Sequence, residues 1–223
     1  MGKVNFDEYV QEYEKLLNKN LSFFSKDDSY FCRYKADLLK KYSSVNPKKI
    51  LEFGAGIGRN IPYVKNAYPD AEIYAYDVSQ KSLDYLSSKY PYAKIVRDFS
   101  GFEESFDMVF CSVVYHHVPV EEREKATRDI YKSLKKNGEL FVFEHNPINP
   151  VTKKLVERCP YDEDAVLLSP KEMRKLASCA GFSDFSVKYY LYFPPVLKIS
   201  FLEKFLYWLP LGGQYMLKAV KSV

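Results

Sequence analysis

The stretch Ile50-Leu51-Glu52-Phe53-Gly54-Ala55-Gly56-Ile57-Gly58-Arg59-Asn60 constrains this chain more than any other. Three glycines at alternate positions follow a short apolar run. Without a Cβ, a glycine turn bends tightly and lets a ligand approach the backbone. The expected local structure is a buried strand at Ile50–Phe53, the turn, and a helix beginning near Gly58. Such a helix would aim its free N–H groups and positive dipole end back at the turn. This is how an open α/β sheet holds a nucleotide-like ligand.

From Lys49 onward the pattern alternates between strand and helix. Further strands are expected at Glu72–Tyr76, Ala93–Arg97, Phe106–Ser112 and Glu139–Glu144, with helices at Ile61–Tyr68, after Ser79, and over Val120–Lys136. The fourth strand is almost wholly apolar, which indicates burial on both faces of a parallel sheet. Repeated units of this kind wind right-handed into a doubly wound sheet, with ligand sites beyond the strand C-termini. Those ends are Gly54, Asp77, Asp98, Tyr115–His117 and His145, so the chemistry-bearing residues gather at one edge. Ser169-Pro170-Lys171-Glu172 reads as a capping box. Strands follow at Phe185–Phe193 and Gln214–Lys221, and residues 196–209 read as an aromatic amphipathic helix. Two helices are expected over residues 4–45, either capping the ligand site or packing on a sheet face.

The dinucleotide fingerprint G-x-G-x-x-G wants a small residue where Arg59 stands. The sequence instead reads acid, then G-x-G-x-G: Glu52, Gly54, Gly56, Gly58. In this it resembles the class I S-adenosylmethionine (SAM)-dependent methyltransferases. The likeness is strong over residues 45–145 and looser beyond. It implies a Rossmann-like doubly wound fold of seven mostly parallel strands with an antiparallel last strand beside the sixth. Within one methyltransferase domain spanning 1–223, it implies a helical cap at 1–45, a SAM-binding core at 46–145, and an acceptor side with an inserted helix at 146–223.

Asp77 ends the second strand about 20 residues after the glycine turn, the spacing of an acid that accepts hydrogen bonds from a ribose. Val78 would touch the adenine face. By resemblance, Asp98 would bond the adenine amino group and Phe99 would pack on the ring. Ala55, Asn60 and Ser112 complete the expected cofactor set with Glu52, Gly54, Gly56 and Gly58. The sulfonium supplies an activated methyl group, so the protein must align the acceptor and, for a hydroxyl, take its proton. The candidate bases are His145, His117 and Glu144. His117 also reads as a packing residue, and Glu144 as a group that orients His145.

The chain has 223 residues and a formal charge of +4. That modest charge, with no N-P-P-Y box after the fourth strand, argues against a nucleic-acid substrate. Four cysteines without a C-x-x-C pair fit a reduced, cytoplasmic protein and no metal site. No apolar run is long enough to span a membrane. The segment from His145 to Leu168 reads as a lid. The tail resembles methyltransferases found alongside bacterial surface-glycan enzymes, which implies O-methylation of a sugar-containing small molecule. Methylation of a quinone or other lipid, with peripheral membrane contact, is the alternative; a non-catalytic SAM-fold binding protein is a second. The 196–209 helix can cover the sheet edge, form a homodimer surface or rest on a membrane, so monomer and homodimer both stay open.

Overall fold

The computed structural model describes residues 29–193 and 200–222. The first helix expected within residues 4–45 lies outside that range, as do residues 196–199 of the aromatic segment.

The elements in chain order are α1 (Tyr30–Tyr42), β1 (Lys49–Phe53), α2 (Ile61–Ala67), β2 (Glu72–Tyr76), α3 (Gln80–Lys89), β3 (Lys94–Val96), β4 (Phe106–Ser112), α4 (Arg123–Ser133), β5 (Leu134–His145), α5 (Pro150–Val156), α6 (Pro170–Ala180), β6 (Ser183–Tyr190) and β7 (Gln214–Val220). They build one seven-stranded sheet in the order β3-β2-β1-β4-β5-β7-β6. The pairs from β3 through β5 are parallel, and β7 runs antiparallel between β5 and β6. This is the expected architecture. The order reverses between β1 and β4, so ligands are directed to the crevice beyond their C-termini.

Both faces of the sheet are covered. Leu38 and Leu39 of α1, Ile61 and Val64 of α2, and Leu86 of α3 pack on one face against Ile50, Ile73, Met108 and Phe141. Ile130 of α4 with Met173 and Ala177 of α6 covers the other, against Leu51, Val109, Leu140 and Leu217. The alternation of Ile50 and Leu51 between the two clusters is the two-residue strand period made physical.

Local sequence sets several boundaries as expected. The Ser79 side chain accepts from Ser82 N at the start of α3. Ser169 and Glu172 form a reciprocal capping box on α6, which ends at left-handed Gly181.

Three expectations need correction. The helix after the glycine turn starts at Ile61, with Asn60 at its N-cap, and not near Gly58. The helix expected through Lys136 stops at Ser133, because Leu134 is buried and paired with Phe106; a kinked segment with Asn137 in the left-handed region then leads into β5. Backbone contacts from Lys221 hold that kink, since Asn137 N donates to Lys221 O and Lys221 N donates to Gly138 O.

The third correction concerns the aromatic segment. Its described part is a 3-10 turn at Ser200–Phe205 followed by irregular turns. Glu203 is buried there: it accepts from Tyr34 Oη at 2.9 Å and from the backbone N–H of Tyr192 at 3.0 Å. Burying this carboxylate where β6 has ended faces Leu202, Phe205, Trp208 and Leu211 outward.

Asn146 locks this outer loop to the sheet. Its fully buried side chain donates to Pro210 O at 3.0 Å and to Gly212 O at 2.8 Å. Its Oδ1 accepts from Ile148 N. Asn146→Ala leaves two carbonyls unsatisfied at about 1–3 kcal/mol each. We expect its urea midpoint to fall by an amount corresponding to about 2 kcal/mol or more.

Candidate active site

The C-terminal ends of β1, β2, β4 and β5 enclose a crevice of about 800 Å³. Its floor is the glycine turn. Gly54 and Ala55 both donate backbone N–H bonds to Tyr76 O, which ties the turn to β2. Gly54 has φ +75°, and a Cβ there would meet Val114 Cγ2 at 2.4 Å, so no side chain fits. Gly58 has φ +80° and is closed in the same way by Leu86 at 2.8 Å. Gly56 differs: its φ is +50°, yet a Cβ would meet nothing within 4 Å. The first and third glycines are set by packing; the middle one leaves open space at the crevice.

Asp77 spans this turn. Its Oδ2 accepts from Gly56 N at 2.7 Å and its Oδ1 from Ser79 N at 2.8 Å. Val78, 79% exposed, stands at the crevice edge. Phe99 also lines the crevice, stacked obliquely on Tyr76 with centroids 5.0 Å apart. Asp98 is exposed and outside the lining; its Oδ1 accepts from Ser100 N at 2.7 Å and shapes its own turn. Gly58 likewise lies behind the turn and does not line the crevice. Phe53 and Tyr76, which the sequence reading did not single out, complete an aromatic wall with centroids 5.0 Å apart.

A second, charged pocket lies deeper. Glu52 is 1% exposed; its Oε1 accepts from Asn60 Nδ2 at 2.6 Å, while Oε2 is buried with no hydrogen bond. Ser112 Oγ accepts from Lys35 Nζ at 2.6 Å. Lys35 comes from α1, so this helix both packs on the sheet and, with Phe31 and Cys32, lines the crevice. Its ammonium was not foreseen, because nothing in Tyr34-Lys35-Ala36 marks one lysine as buried. Burial lowers the Lys35 pKa below its usual 10.5. Burial raises Glu52 to about 8, against the opposing effects of the Asn60 hydrogen bond and Lys35.

The third wall carries all three histidines. Glu144 is fully buried behind it and outside the lining. Its Oε1 accepts from Val114 N at 2.8 Å and Tyr115 N at 2.6 Å, and its Oε2 meets His116 Nδ1 at 2.7 Å. Burial alone would raise its pKa, but His116 holds it near 2. Burial pulls His116 down, yet Glu144 and Asp162 outweigh it and raise its pKa to about 9. His145 is lowered to about 4 by burial and then by the His116 charge, so it is neutral. Its ring centroid is 5.1 Å from that of His116. His116, His117, His145 and Asp162 all line the crevice. The structure thus presents His145 and His117 to the cavity and withdraws Glu144 into the scaffold. His116 shares the ligand edge with the candidate bases but is held between two carboxylates, and Asp162 comes from the segment expected to act as a lid.

The residues present fit SAM. Gly56 leaves room for a close approach, an aromatic wall suits an adenine, and the orphaned Glu52 Oε2 offers a partner to an ammonium. The folded-state pKa of Glu52 lies above its value of 4.5, so the folded protein holds a proton that the unfolded chain has lost between pH 4.5 and 8. Stability from this group is therefore lost as pH rises through that window. Glu52→Gln removes the titration, and we expect its stability relative to the wild type to increase from pH 5 to pH 8 in urea unfolding of ligand-free protein.

Residues 51–142 match a family model described as a methyltransferase domain. A demethylmenaquinone methyltransferase from Thermotoga maritima is 25% identical over 148 residues, 65% of this chain and 61% of that protein. The chain thus spans less than two thirds of this curated relative. The fold is similar to a SAM-dependent methyltransferase from Archaeoglobus fulgidus, with TM-score 0.68, 14% identity and coverage of 94% of this chain and 100% of that one. It is also similar to a phosphoethanolamine N-methyltransferase from Haemonchus contortus in complex with SAM, with TM-score 0.64, 17% identity and coverage of 100% and 61%. With the glycine turn, the sheet order and the crevice already described, the core of this chain is similar to a methyltransferase domain over residues 51–142, and its fold is that of the SAM-dependent methyltransferases.

Proposed function

We propose that this protein transfers the methyl group of SAM to an oxygen of a small, sugar-containing acceptor. The observation that carries this reading is the shared crevice: the glycine turn with Asp77 lies on one side, and a polar wall of His117, His145 and Asp162 on the other. A cofactor held at the first places its methyl group toward the second. Hydroxyl-rich acceptors are matched by such a wall better than purely apolar ones are.

In this reading Asp77 accepts from the ribose hydroxyls while keeping Gly56 and Ser79 in place. Phe99 and Val78 flank the adenine, and Glu52 meets the ammonium of the amino-acid tail. SAM supplies the electrophilic carbon. His145 is the neutral imidazole at the crevice and is the base of choice among the three candidates. Glu144 acts through His116, as a positioning residue. Asp98 has no part in binding.

A quinone or other lipid acceptor is the second reading. The Thermotoga maritima relative carries such a name. Leu202, Phe205, Trp208 and Leu211 also form an exposed apolar row at every third position. No helix among the described residues is long and apolar enough to cross a membrane.

Calorimetric titration with S-adenosylhomocysteine, followed by methyl transfer from labelled SAM to sugar and quinone acceptors, tests the proposal. Absence of binding defeats it; transfer only to vesicle-borne quinone selects the second reading. We expect Asp77→Ala to weaken S-adenosylhomocysteine binding by about 10- to 100-fold, the loss of charge-assisted hydrogen bonds worth about 1.5–3 kcal/mol. Asp98→Ala is expected to leave that affinity unchanged within about twofold, in line with the near-neutrality of exposed substitutions.

A further inference from the structure

We propose that His116, His117 and Asp162 form a binding site for a first-row divalent transition metal, open toward the acceptor side of the crevice. The potential ligand atoms of these residues lie within 4.8 Å of one another. Asp162 Oδ1 is 3.5 Å from His116 Nε2 and 3.3 Å from His117 Nε2. The first separation is long for a hydrogen bond. Both match the ~3.4 Å between neighbouring ligands that ~2.0–2.1 Å bonds at tetrahedral angles produce.

Two further observations point to a ligand. His116 is 1% exposed, and its Nε2 is buried with no hydrogen-bond partner while facing Asp162. Its other nitrogen, Nδ1, is 2.7 Å from the Glu144 carboxylate. A carboxylate behind an imidazole holds the Nδ1–H in place, and a metal that displaces the Nε2 proton takes that nitrogen's lone pair. Asp164 Oδ1 stands 3.6 Å from His117 Nδ1, an ion-pair separation rather than a direct hydrogen bond. Glu144 is itself fixed by two backbone N–H groups, so the support behind His116 is rigid.

The ligands come from two parts of the chain. His116 and His117 follow β4, and Asp162 ends the 3-10 turn Pro160–Asp162 in the return from α5. A metal here would fasten that return segment over the crevice. Two imidazoles and one carboxylate suit Zn²⁺, Co²⁺ or Mn²⁺; Mg²⁺ and Ca²⁺ prefer all-oxygen sites. Three protein ligands leave a coordination position, and all three line the crevice. Under the methyltransferase reading, on which this role rests, an acceptor hydroxyl takes that position and is acidified. Its proton goes to His145, which lines the same crevice, its oxygen bonds to the methyl carbon, and the breaking C–S bond leaves its electron pair on sulfur. This departs from the sequence expectation of no metal, because Asp162 lies 45 residues from His117 and no ligand spacing links them.

The test uses the full chain, stripped with chelator and free of SAM. Zn²⁺ is titrated by calorimetry, and Co²⁺ by its visible absorption. We expect one equivalent of each to bind, with the intense bands of a four- or five-coordinate Co²⁺. Asp162→Asn and His117→Gln should each weaken binding on the order of 100-fold, and Cys159→Ser should leave it unchanged. Urea midpoints and S-adenosylhomocysteine affinity, measured on the same samples, certify that each variant is folded. No uptake at millimolar Zn²⁺, or equal uptake by wild type and Asp162→Asn, overturns the site. Loss through Cys159→Ser alone also overturns it. Because the metal titrations contain no SAM, a failed metal site and a failed methyltransferase reading give different results.

Discussion

One buried carboxylate organises the active edge. Glu144 ends the apolar run of β5 and receives three hydrogen bonds from the segment leaving β4: Val114 N, Tyr115 N and His116 Nδ1. That segment needs the anchor because Val113 sits in the left-handed region at φ 61°, an uncommon conformation for a β-branched residue. The turn it makes sends Val114 down against Gly54, where any side chain on the glycine would collide. The same turn sends His116 and His117 toward the crevice. Hydrogen bonds to a buried charge are worth about 1.5–3 kcal/mol each, and removing one partner of a buried ion pair costs about 3–5 kcal/mol. Floor and histidine wall therefore depend on the same acid.

The crevice holds a balanced set of buried charges. Lys35 enters from α1 and influences both Glu52 and Glu144, while His116 is charged between Glu144 and Asp162. This arrangement leaves the Glu52 carboxyl with one unmet oxygen and keeps His145 neutral. Such buried groups are costly to leave unsatisfied. They cluster at a cavity lined by four strand ends, which is where a doubly wound sheet places its ligands.

The outer rim follows a different logic. By pattern the aromatic segment is an amphipathic helix whose apolar face can cover the sheet edge, form a homodimer surface or rest on a membrane. In the fold, Glu203 is the buried member. It satisfies backbone N–H groups where β6 has ended, and a phenol from α1 completes it. Asn146 and Asn149 then bind the carbonyls of the following turn. Backbone groups without partners outranked the hydrophobic pattern, and Trp208 is left 74% exposed.

The parts of this protein written in its sequence are those set by short-range rules. Alternating strand and helix periods, the caps at Ser79 and Ser169, and the spacing from the glycine turn to Asp77 pointed to a doubly wound sheet and to its crevice edge, while the strand order is a finding of the structure. The antiparallel last strand came from resemblance to the family. What tertiary structure decided depends on residues distant in the chain. Lys35, 77 positions from Ser112, is an ordinary helical lysine until it is buried. Glu144 resembles a base until its oxygens are filled by a turn thirty residues earlier. Asp98, at a strand end like Asp77, turns out to solvent. Asp162 meets His116 and His117 only when the return from α5 folds back over β4. Burial and partner choice are properties of the packed sheet, and they divide identical side chains between buried scaffold, crevice lining and solvent-exposed turn.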